Sequence, residues 1–427
     1  MSTLGEGGAR VKVVVAGQGY VGLPLAMRAV ALGHDVTGFD VNGERVNLIN
    51  QGKSFTGDVS NAEVKSALSS RHYRATCDED DCAAFDVAVI TVPTPLREGI
   101  PDLSLIEESV TMLTRYLTKG STVILESTTY PGTTDEIVVP ILEGGSGLTA
   151  GSDFYVGFSP ERIDPGNSVW SFKNTPKIVS GINGPSLDKV NEFYSALVDR
   201  TVPVSSTRVA ELTKLLENTF RHVNIALVNE LAMFANELNV DIWEAIDGAS
   251  SKPFGFMPFT PGPGVGGHCL PIDPSYLSWR VQRVTGKAFR FVELANDVNS
   301  HMPSYVVGRI TSLLNREKKS VNGSRILVLG LAYKKNTSDM RESPSLAICE
   351  ALSNLGADVR VVDAKVPTSV TVPWHRAELT DEELQEADIT VIITDHDGVD
   401  YDRVALKAKL VFDTRRRTVA GATVEQI

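Results

Sequence analysis

Short apolar runs alternate with helical stretches up to about residue 130. Four continuous runs rich in β-branched residues predict buried parallel strands: VKVVVAG from Val11, HDVTGFD from His34, FDVAVITVPTP from Phe85 and GSTVILEST from Gly120. Between the first two runs, LPLAMRAVALG has helical periodicity and ends at Gly33, which suits the end of a helix. Such β-α-β units predict a doubly wound sheet.

The pattern changes in the middle of the chain and then returns. Residues 206–240 contain neither Gly nor Pro and predict one long helix, of the kind that connects domains or forms a subunit interface. Residues 253–274 are rich in Pro and Gly and predict a loop, after which a helical pattern continues to about Asn315. From Ser324, RILVLGLAY, ADVRVVD, DITVIITD and KLVFDT predict strands, and SPSLAICEALSNLG predicts a helix between the first two.

We therefore predict an α/β fold with two Rossmann-like doubly wound domains joined by a long central helix. The predicted domains are residues 1–205, which bind a dinucleotide, residues 206–315, which are mostly helical, and residues 316–427, a second α/β domain.

Composition and charge restrict the function. The 427 residues are 42% hydrophobic and 22% charged, as in a globular protein of two or three domains. The net charge of −12, without a basic block, argues against a nucleic-acid partner. No signal peptide or membrane-spanning stretch is evident, so we expect a cytoplasmic protein without a membrane partner.

The four cysteines are too few for a disulfide framework and suit a reducing compartment. Cys77 and Cys82 flank DEDD, and an acidic surface loop is favoured over a zinc site because no further ligands follow at zinc spacing. Cys349 lies at apolar helical spacing and is predicted to be a core residue.

The segment GQGYVG has the spacing of a dinucleotide-binding turn, between a predicted strand and a predicted helix. Gly17 would allow the tight turn, Gly19 the approach of the pyrophosphate, and Gly22 the close packing of helix and strand. Asp40 ends the second strand, where a carboxylate accepts hydrogen bonds from ribose hydroxyls, so NAD is favoured over NADP. Arg45 could stack on the adenine or weaken that preference.

Cys269 lies in PGPGVGGHCLPIDP, which we call the cysteine loop (residues 261–274). A thiol beside a nicotinamide cofactor can capture an aldehyde and allow a second oxidation, whereas the alternative is a small residue beside a close backbone. The small residues before Cys269 free backbone N–H groups, and Asp273 lies four residues on. His268 is predicted to be structural rather than the base of a Cys–His pair.

Lys214 and Asn218 are four residues apart and therefore lie on one face of the predicted long helix. Such a pair is most often solvated. The surrounding ELTKLLENTF is rich in Leu, however, which also allows both side chains to face a pocket.

The chain resembles the UDP-glucose/GDP-mannose dehydrogenase family, the nucleotide-sugar 6-dehydrogenases, essentially from end to end. The resemblance is carried, in the family's order, by GQGYVGLPLA, TVPTP, ESTTYPGTT, SPERIDPG, ELTKLLENTFRHVNIALVNELA, PGPGVGGHCLPIDP and GLAYKKNTSDMRESPS. It implies a four-electron oxidation of a sugar C6 alcohol to a carboxylate with two NAD in succession. A nucleotide sugar would be the substrate, and a homodimer or larger homo-oligomer would form through the long helix.

The resemblance also implies roles for individual residues. Cys269 would form a thiohemiacetal and then a thioester, Lys214 and Asn218 would stabilise oxyanions, and Asp273 would assist proton transfer. Thr128 and Glu161 would hold the hydrolytic water, with Glu161 as general base.

The implied cofactor-binding residues are Gly17, Gly19, Tyr20, Val21, Gly22, Asp40, Arg45, Pro93, Thr94, Thr128 and Arg341. The implied substrate-binding residues are Glu161, Arg162, Lys214, Asn218, Gly266, Tyr333, Lys334 and Arg415. The run of three arginines in FDTRRR leaves the choice of Arg415 open by about one residue.

The cysteine loop departs from the GGSCFPKD that is common in UDP-glucose enzymes. His268 replaces the serine and Ile272 replaces the lysine, which removes any contact that lysine would supply. The GHCxPxDP form is similar to the subgroup acting on UDP-N-acetylglucosamine or UDP-N-acetylmannosamine, although some members of natural-product sugar pathways with this form take a nucleotide-linked glucose. The product could enter a polysaccharide or a glycosylated metabolite.

Two other functions remain open at this point. A two-electron dehydrogenase of the hydroxyacid or 6-phosphogluconate type shares a Rossmann domain and long helices but needs neither the cysteine nor a second α/β domain. A catalytically silent nucleotide-sugar sensor would bind its ligand and produce no NADH.

Overall fold

The computed structural model describes residues 10–97, 99–164, 167, 169–267 and 270–427. The chain forms two compact units, Met1–Glu217 and Asn218–Ile427. The predicted division into three domains stays a prediction.

The first unit contains an eight-stranded sheet with helices between its strands. Its strands are β1 (Lys12–Ala16), β2 (Asp35–Phe39), β3 (Tyr73–Thr76), β4 (Val87–Ile90), β5 (Leu96–Arg97), β6 (Ile100–Pro101), β7 (Thr122–Leu125), β8 (Tyr155–Phe158), β9 (Lys177–Gly181) and β10 (Thr201–Pro203). Its helices are α1 (Gly22–Ala31), α2 (Gly43–Asn50), α3 (Asn61–Ser69), a 3₁₀ turn (Glu79–Cys82), α4 (Ser104–Thr114), a π-helical turn (Thr134–Val138), α5 (Val139–Ser146), α6 (Gly184–Leu197) and the first part of α7 (Thr207–Glu237).

The strand order is β10-β9-β8-β7-β4-β1-β2-β3, and β5 and β6 form a separate hairpin. Neighbouring strands in the large sheet are parallel except β8 and β9. The order reverses between β1 and β4, and this switch point is where doubly wound sheets bind ligands, outside the carboxyl ends of the strands.

The second unit contains an all-parallel sheet. Its elements are the remainder of α7, α8 (Ile242–Ser250), α9 (Asp273–Thr285), α10 (Arg290–Arg316), β11 (Arg325–Leu329), α11 (Pro344–Asn354), β12 (Asp358–Val362), β13 (His375–Arg376), α12 (Asp381–Glu386), β14 (Ile389–Ile392), α13 (Tyr401–Lys407), β15 (Val411–Asp413) and β16 (Val424–Gln426). The six strands run in the order β13-β12-β11-β14-β15-β16, so the switch point lies between β11 and β14.

Burial explains why the apolar runs are continuous. Every residue of β4, β7 and β14 is buried, because helices cover both faces of each sheet. Cys349 belongs to the apolar core of the second unit, as predicted. The two Rossmann-like sheets and the long helix confirm the predicted fold class.

Two local features differ from what the sequence predicts. The predicted loop 253–274 ends two residues early, because Asp273 and Pro274 begin α9. A proline in the first turn loses no helical hydrogen bond, and a carboxylate is favoured at a helix N-terminus. The helix α8 was not predicted.

Within the described ranges, no helix combines the length and apolar character needed to cross a bilayer. In that same part of the chain, no group of three or more His, Cys, Asp or Glu side chains could hold a metal ion.

Candidate active site

The turn after β1 has the conformation that its three glycines predict. Gly17 has φ of +93°, and a Cβ at this position would lie 2.9 Å from the Thr91 carbonyl oxygen. A Cβ at Gly22 would lie 1.9 Å from the Gly17 carbonyl oxygen, whereas nothing lies within 4 Å of one at Gly19. The first and third glycines are therefore required by the fold, and the second leaves open space beside the backbone.

Asp40 and Arg45 lie at the end of β2, beside this turn. Asp40 is 4% exposed and accepts hydrogen bonds from the Gln18 backbone N–H at 2.7 Å and from Arg45 Nη1 at 2.8 Å. The Arg45 guanidinium carbon lies 5.2 Å from the centre of the Phe55 ring, and the edge of that ring contacts Tyr20. The open backbone at Gly19 and the carboxylate at the end of β2 fit the pyrophosphate and a ribose of NAD.

The other predicted cofactor residues of this unit lie near the carboxyl ends of strands. Val21 precedes α1, Pro93 and Thr94 follow β4, and half-buried Thr128 follows β7. Thr91, which was not predicted, donates from Oγ1 to the Gly17 carbonyl at 2.7 Å and fixes the glycine turn. Their predicted roles in cofactor binding stay predictions.

Glu161 and Lys214 form a buried ion pair in the first unit. Lys214 Nζ donates to the Glu161 carbonyl oxygen at 2.7 Å and lies 3.3 Å from Glu161 Oε2. The other carboxylate oxygen, Oε1, is buried and has no hydrogen-bond partner among the described residues. Burial raises the pKa of Glu161, and the ammonium groups of Lys214 and Lys177 oppose this shift. A carboxylate with one uncommitted oxygen and a raised pKa can exchange a proton.

Arg162, the next residue, forms hydrogen bonds with other groups of the protein. Its guanidinium donates to the Pro176 carbonyl and to Glu217 Oε1, each at 2.6 Å. Its predicted role in substrate binding therefore requires either the remaining donors of the guanidinium or an exchange of partners.

Asn218 and Asp273 are brought together in the second unit, although 55 residues separate them. Asn218 Nδ2 donates to Asp273 Oδ2 at 2.5 Å, and the side chains are 6% and 3% exposed, respectively. Lys214 and Asn218 are both buried on α7, so the solvated alternative is wrong.

The described part of the cysteine loop packs against the segment after β11. A Cβ at Gly266 would lie 2.5 Å from the Glu342 carbonyl oxygen, and one at Gly267 would lie 2.6 Å from the Tyr333 ring. The Gly267 N–H donates to the Arg341 carbonyl oxygen at 3.3 Å. The loop therefore needs glycine where its backbone meets Tyr333. Cys269 and His268 lie outside the described residues, and their roles stay predictions.

Arg415 follows β15, and its side chain reaches the carboxyl end of the neighbouring strand β14. Its Nε donates to the carbonyl oxygen of Ile393, which directly follows β14, at 2.7 Å. A Cβ at Gly262 would lie 2.7 Å from Arg415 Nη1. The neighbouring Arg416 and Arg417 are exposed and form ion pairs with other carboxylates, so Arg415 is the arginine of the three that lies against the cysteine loop.

Lys334 and Arg341 follow β11 in the same unit as Arg415. Lys334 is half-buried. Arg341 was predicted to reach the cofactor phosphates. Its guanidinium makes a two-pronged ion pair with Asp339, at 2.9 Å from Nε and 2.7 Å from Nη2. A role for Arg341 with phosphates stays a prediction.

A carboxylate at the end of β12 distinguishes the second sheet from the first. Asp363 occupies the position that Asp40 has after β2, but it accepts hydrogen bonds from five protein donors: the N–H groups of Leu331, Ala332, Lys365 and Val366, and His396 Nε2. His396 donates from Nε2 because its Nδ1 accepts from the Asn336 N–H at 2.9 Å. These donors hold the pKa of Asp363 well below its ordinary value against the opposing effect of burial. Asp363 therefore has no lone pair left for a ribose. The turn after β11, GLAYKKNTSD, also lacks the G-x-G-x-x-G spacing of a dinucleotide-binding turn.

Comparison with known proteins is consistent with this geometry. Three models of the UDP-glucose/GDP-mannose dehydrogenase family match: its NAD binding domain over residues 11–198, its central domain over residues 208–301 and its UDP binding domain over residues 327–419. A UDP-N-acetyl-D-glucosamine 6-dehydrogenase from Pseudomonas aeruginosa is 37% identical over 398 residues, which cover 93% of this chain and 90% of that protein.

Two solved structures are similar over nearly the whole chain. The UDP-D-ManNAc dehydrogenase of Pyrococcus horikoshii has a TM-score of 0.87 and 33% identity, covering 97% of this chain and 99% of that one. A UDP-glucose dehydrogenase of Pyrobaculum islandicum has a TM-score of 0.85 and 27% identity, covering 96% of each chain. The chain therefore belongs to the UDP-glucose/GDP-mannose dehydrogenase family and is an NAD-dependent dehydrogenase.

Proposed function

We propose that this protein oxidises the C6 hydroxyl of a nucleotide-linked hexose to the carboxylate, with Cys269 as the nucleophile that retains the intermediate. The overall balance is one alcohol, one water and two NAD⁺ giving one carboxylate, two NADH and three protons. The observation that carries the proposal is the buried Lys214–Glu161 pair, in which one carboxylate oxygen of Glu161 is uncommitted.

Each side chain of the site has a separate role in the two oxidations. NAD, when bound, accepts a hydride in each of the two oxidations. The Cys269 thiolate adds to the aldehyde carbon and forms a thiohemiacetal, whose oxidation gives a thioester. Lys214 and Asn218 supply N–H donors for the oxyanions, and Asp273 holds the Asn218 amide in one orientation.

Hydrolysis of the thioester completes the reaction. Glu161 takes a proton from the attacking water, beside Thr128, and the Cys269 thiolate leaves as the carboxylate forms. Burial raises the pKa of the Glu161 carboxyl above its ordinary value, and a carboxylate with a raised pKa is a stronger base than an exposed one. Glu161 therefore suits this role.

We propose a UDP-sugar as the substrate, with 2-acetamido sugars as the first to test. The support comes from two similar proteins, the UDP-N-acetyl-D-glucosamine 6-dehydrogenase and the UDP-D-ManNAc dehydrogenase. Arg415, Tyr333 and Lys334 lie at the carboxyl ends of strands in the second sheet and would bind the nucleotide part.

The decisive experiment counts NADH per sugar consumed, for UDP-glucose, UDP-N-acetylglucosamine, UDP-N-acetylmannosamine and dTDP-glucose. We expect two NADH per sugar from one of these substrates and a loss of turnover in Cys269→Ser. Cys77→Ser is the matched control, because Cys77 is an exposed free thiol elsewhere in the chain. One NADH per sugar, with Cys269→Ser as active as wild type, would contradict the thioester mechanism.

We also propose that the protein is a cytoplasmic homodimer that pairs through α7. Six large apolar side chains on this helix are between 44% and 62% exposed: Leu212, Leu216, Phe220, Leu227, Leu231 and Phe234. They recur at helical spacing, and a contiguous exposed apolar face of this kind marks an interaction site.

Sedimentation equilibrium tests the dimer. We expect twice the chain mass for wild type and the chain mass for Phe234→Glu. Leu406→Glu, at a position that is 80% exposed on α13, is the control and should stay dimeric. A monomeric wild type at micromolar concentration would exclude this assembly.

A further inference from the structure

A second buried ion pair lies beside the Glu161–Lys214 pair in the first unit. It joins Lys177, the first residue of β9, to Glu126, which directly follows β7. Lys177 is 4% exposed and Glu126 is 1% exposed. Sequence reasoning did not single out either residue, because both lie in short motifs whose pairing depends on the sheet.

Two ammonium groups hold consecutive backbone carbonyls at the site. Lys177 Nζ donates to the Pro160 carbonyl oxygen at 3.1 Å, and Lys214 Nζ donates to the Glu161 carbonyl oxygen at 2.7 Å. The backbone that carries the Glu161 side chain is therefore fixed at two consecutive carbonyls by buried charges.

Aromatic side chains surround this second pair and hold it in one orientation. Tyr194 OH donates to Glu126 Oε2 at 2.5 Å, and Lys177 Nζ lies 5.1 Å from the centre of the Tyr194 ring. The ring of Phe172 lies 5.6 Å from the same ammonium. Removing two charges from water costs so much that a buried pair rarely stabilises a fold more than apolar side chains do. The retained charges therefore call for a role besides packing.

We propose that the Lys177–Glu126 pair positions Glu161 and sets the pH at which Glu161 exchanges its proton. The inference rests on the role of Glu161 as general base under the proposed function. Lys177 and Glu126 are thus positioning residues that act through Glu161 and its backbone.

The charges that face Glu161 determine the expected signs. They are Lys214 from α7, Lys177 from β9 and Glu126 after β7, while the guanidinium of Arg162 is directed to other partners. Lys177 favours the ionised form of Glu161, and Glu126 disfavours it. Removing the charge of Lys177 should therefore raise the pKa of Glu161, and removing the charge of Glu126 should lower it.

The experiment measures the Glu161 midpoint directly, in protein labelled with ¹³C at the glutamate carboxyl and with the signal assigned by Glu161→Gln. We expect Lys177→Met to raise the midpoint and Glu126→Gln to lower it, each by about one pH unit. The acid limb of the kcat/KM profile should move in the same two directions. Lys177→Arg keeps the charge and should restore the wild-type midpoint.

Tyr194→Phe is the matched control, because it removes a hydrogen bond from the same buried cluster without changing a charge. A purely structural pair predicts that Lys177→Met and Glu126→Gln both lower the melting temperature and leave the midpoint unchanged, which would overturn the inference. If Lys177→Met does not fold, Glu126→Gln alone tests the inference. A Glu161 midpoint in that variant equal to the wild-type midpoint would overturn it.

The titration needs no substrate, so its outcome is separable from that of the proposed function. Opposite shifts without any oxidation of a nucleotide sugar would refute the proposed function and leave the electrostatic coupling established. Two NADH per sugar with unchanged midpoints would refute only the role of the Lys177–Glu126 pair.

Discussion

Alanine substitutions in the glycine turn should separate cofactor binding from folding. The structure gives Gly19 and Gly22 opposite surroundings, with nothing within 4 Å of a Cβ at Gly19 and the Gly17 carbonyl oxygen 1.9 Å from one at Gly22. Gly22→Ala must therefore displace the turn, and Gly19→Ala adds a methyl group only where the pyrophosphate is predicted to approach.

The magnitudes follow from these distances. Overpacking of a rigid site costs about 1–3 kcal/mol, and the contact atoms at Gly22 include backbone that cannot move independently. At about 2–4 °C per kcal/mol, Gly22→Ala should lower the melting temperature of the apoprotein by about 2–12 °C. Gly19 has no positive φ, so its alanine variant should stay within about 0.5 kcal/mol of wild type. Its NAD affinity should fall at least tenfold, which is about 1.4 kcal/mol.

Thermal unfolding without NAD and isothermal titration with NAD measure the two effects. Gly43→Ala is the control, because Gly43 also begins a helix and a Cβ there has nothing within 4 Å. It should change neither quantity. NAD affinity equal to wild type in Gly19→Ala, or a wild-type melting temperature in Gly22→Ala, would refute the assignment of roles within this turn.

Three further outcomes are expected. Asp40→Ser should weaken NAD binding and improve the ratio of NADP to NAD affinity, since Arg45 loses its carboxylate partner; equal losses for both cofactors would contradict this. Asp363→Asn should destabilise the protein by about 1–3 kcal/mol at pH 7. Because the pKa of Asp363 is depressed in the folded state, this difference in the free energy of unfolding should shrink as the pH falls below about 4. Urea unfolding measures it, and a difference that stays constant from pH 7 to pH 3 would contradict this expectation. Asn229→Ala leaves the buried Gly262 N–H without its acceptor at 2.9 Å and should cost about 1–3 kcal/mol, whereas an unchanged urea midpoint would show that the loop finds another acceptor.

Much of the fold follows from local features of the sequence. Continuous β-branched runs predict β1, β2, β4 and β7 because burial on both faces of a sheet demands apolar residues at successive positions. From the sequence alone, the family resemblance also places Glu161, Lys214, Asn218 and Asp273 among the candidate site residues.

The sequence by itself determined the two sheets, the glycine turn with Asp40 at the end of the next strand, and the long helix. Only the tertiary structure decided which charged groups meet. Lys177 and Glu126 are 51 residues apart, and Arg415 differs from its neighbours by its position beside β14. Two of the five donors to Asp363 are backbone N–H groups that follow another strand, β11. The reason is physical: periodicity and backbone conformation are properties of adjacent residues, whereas the partners of a buried charge depend on which strand ends the sheet order brings together.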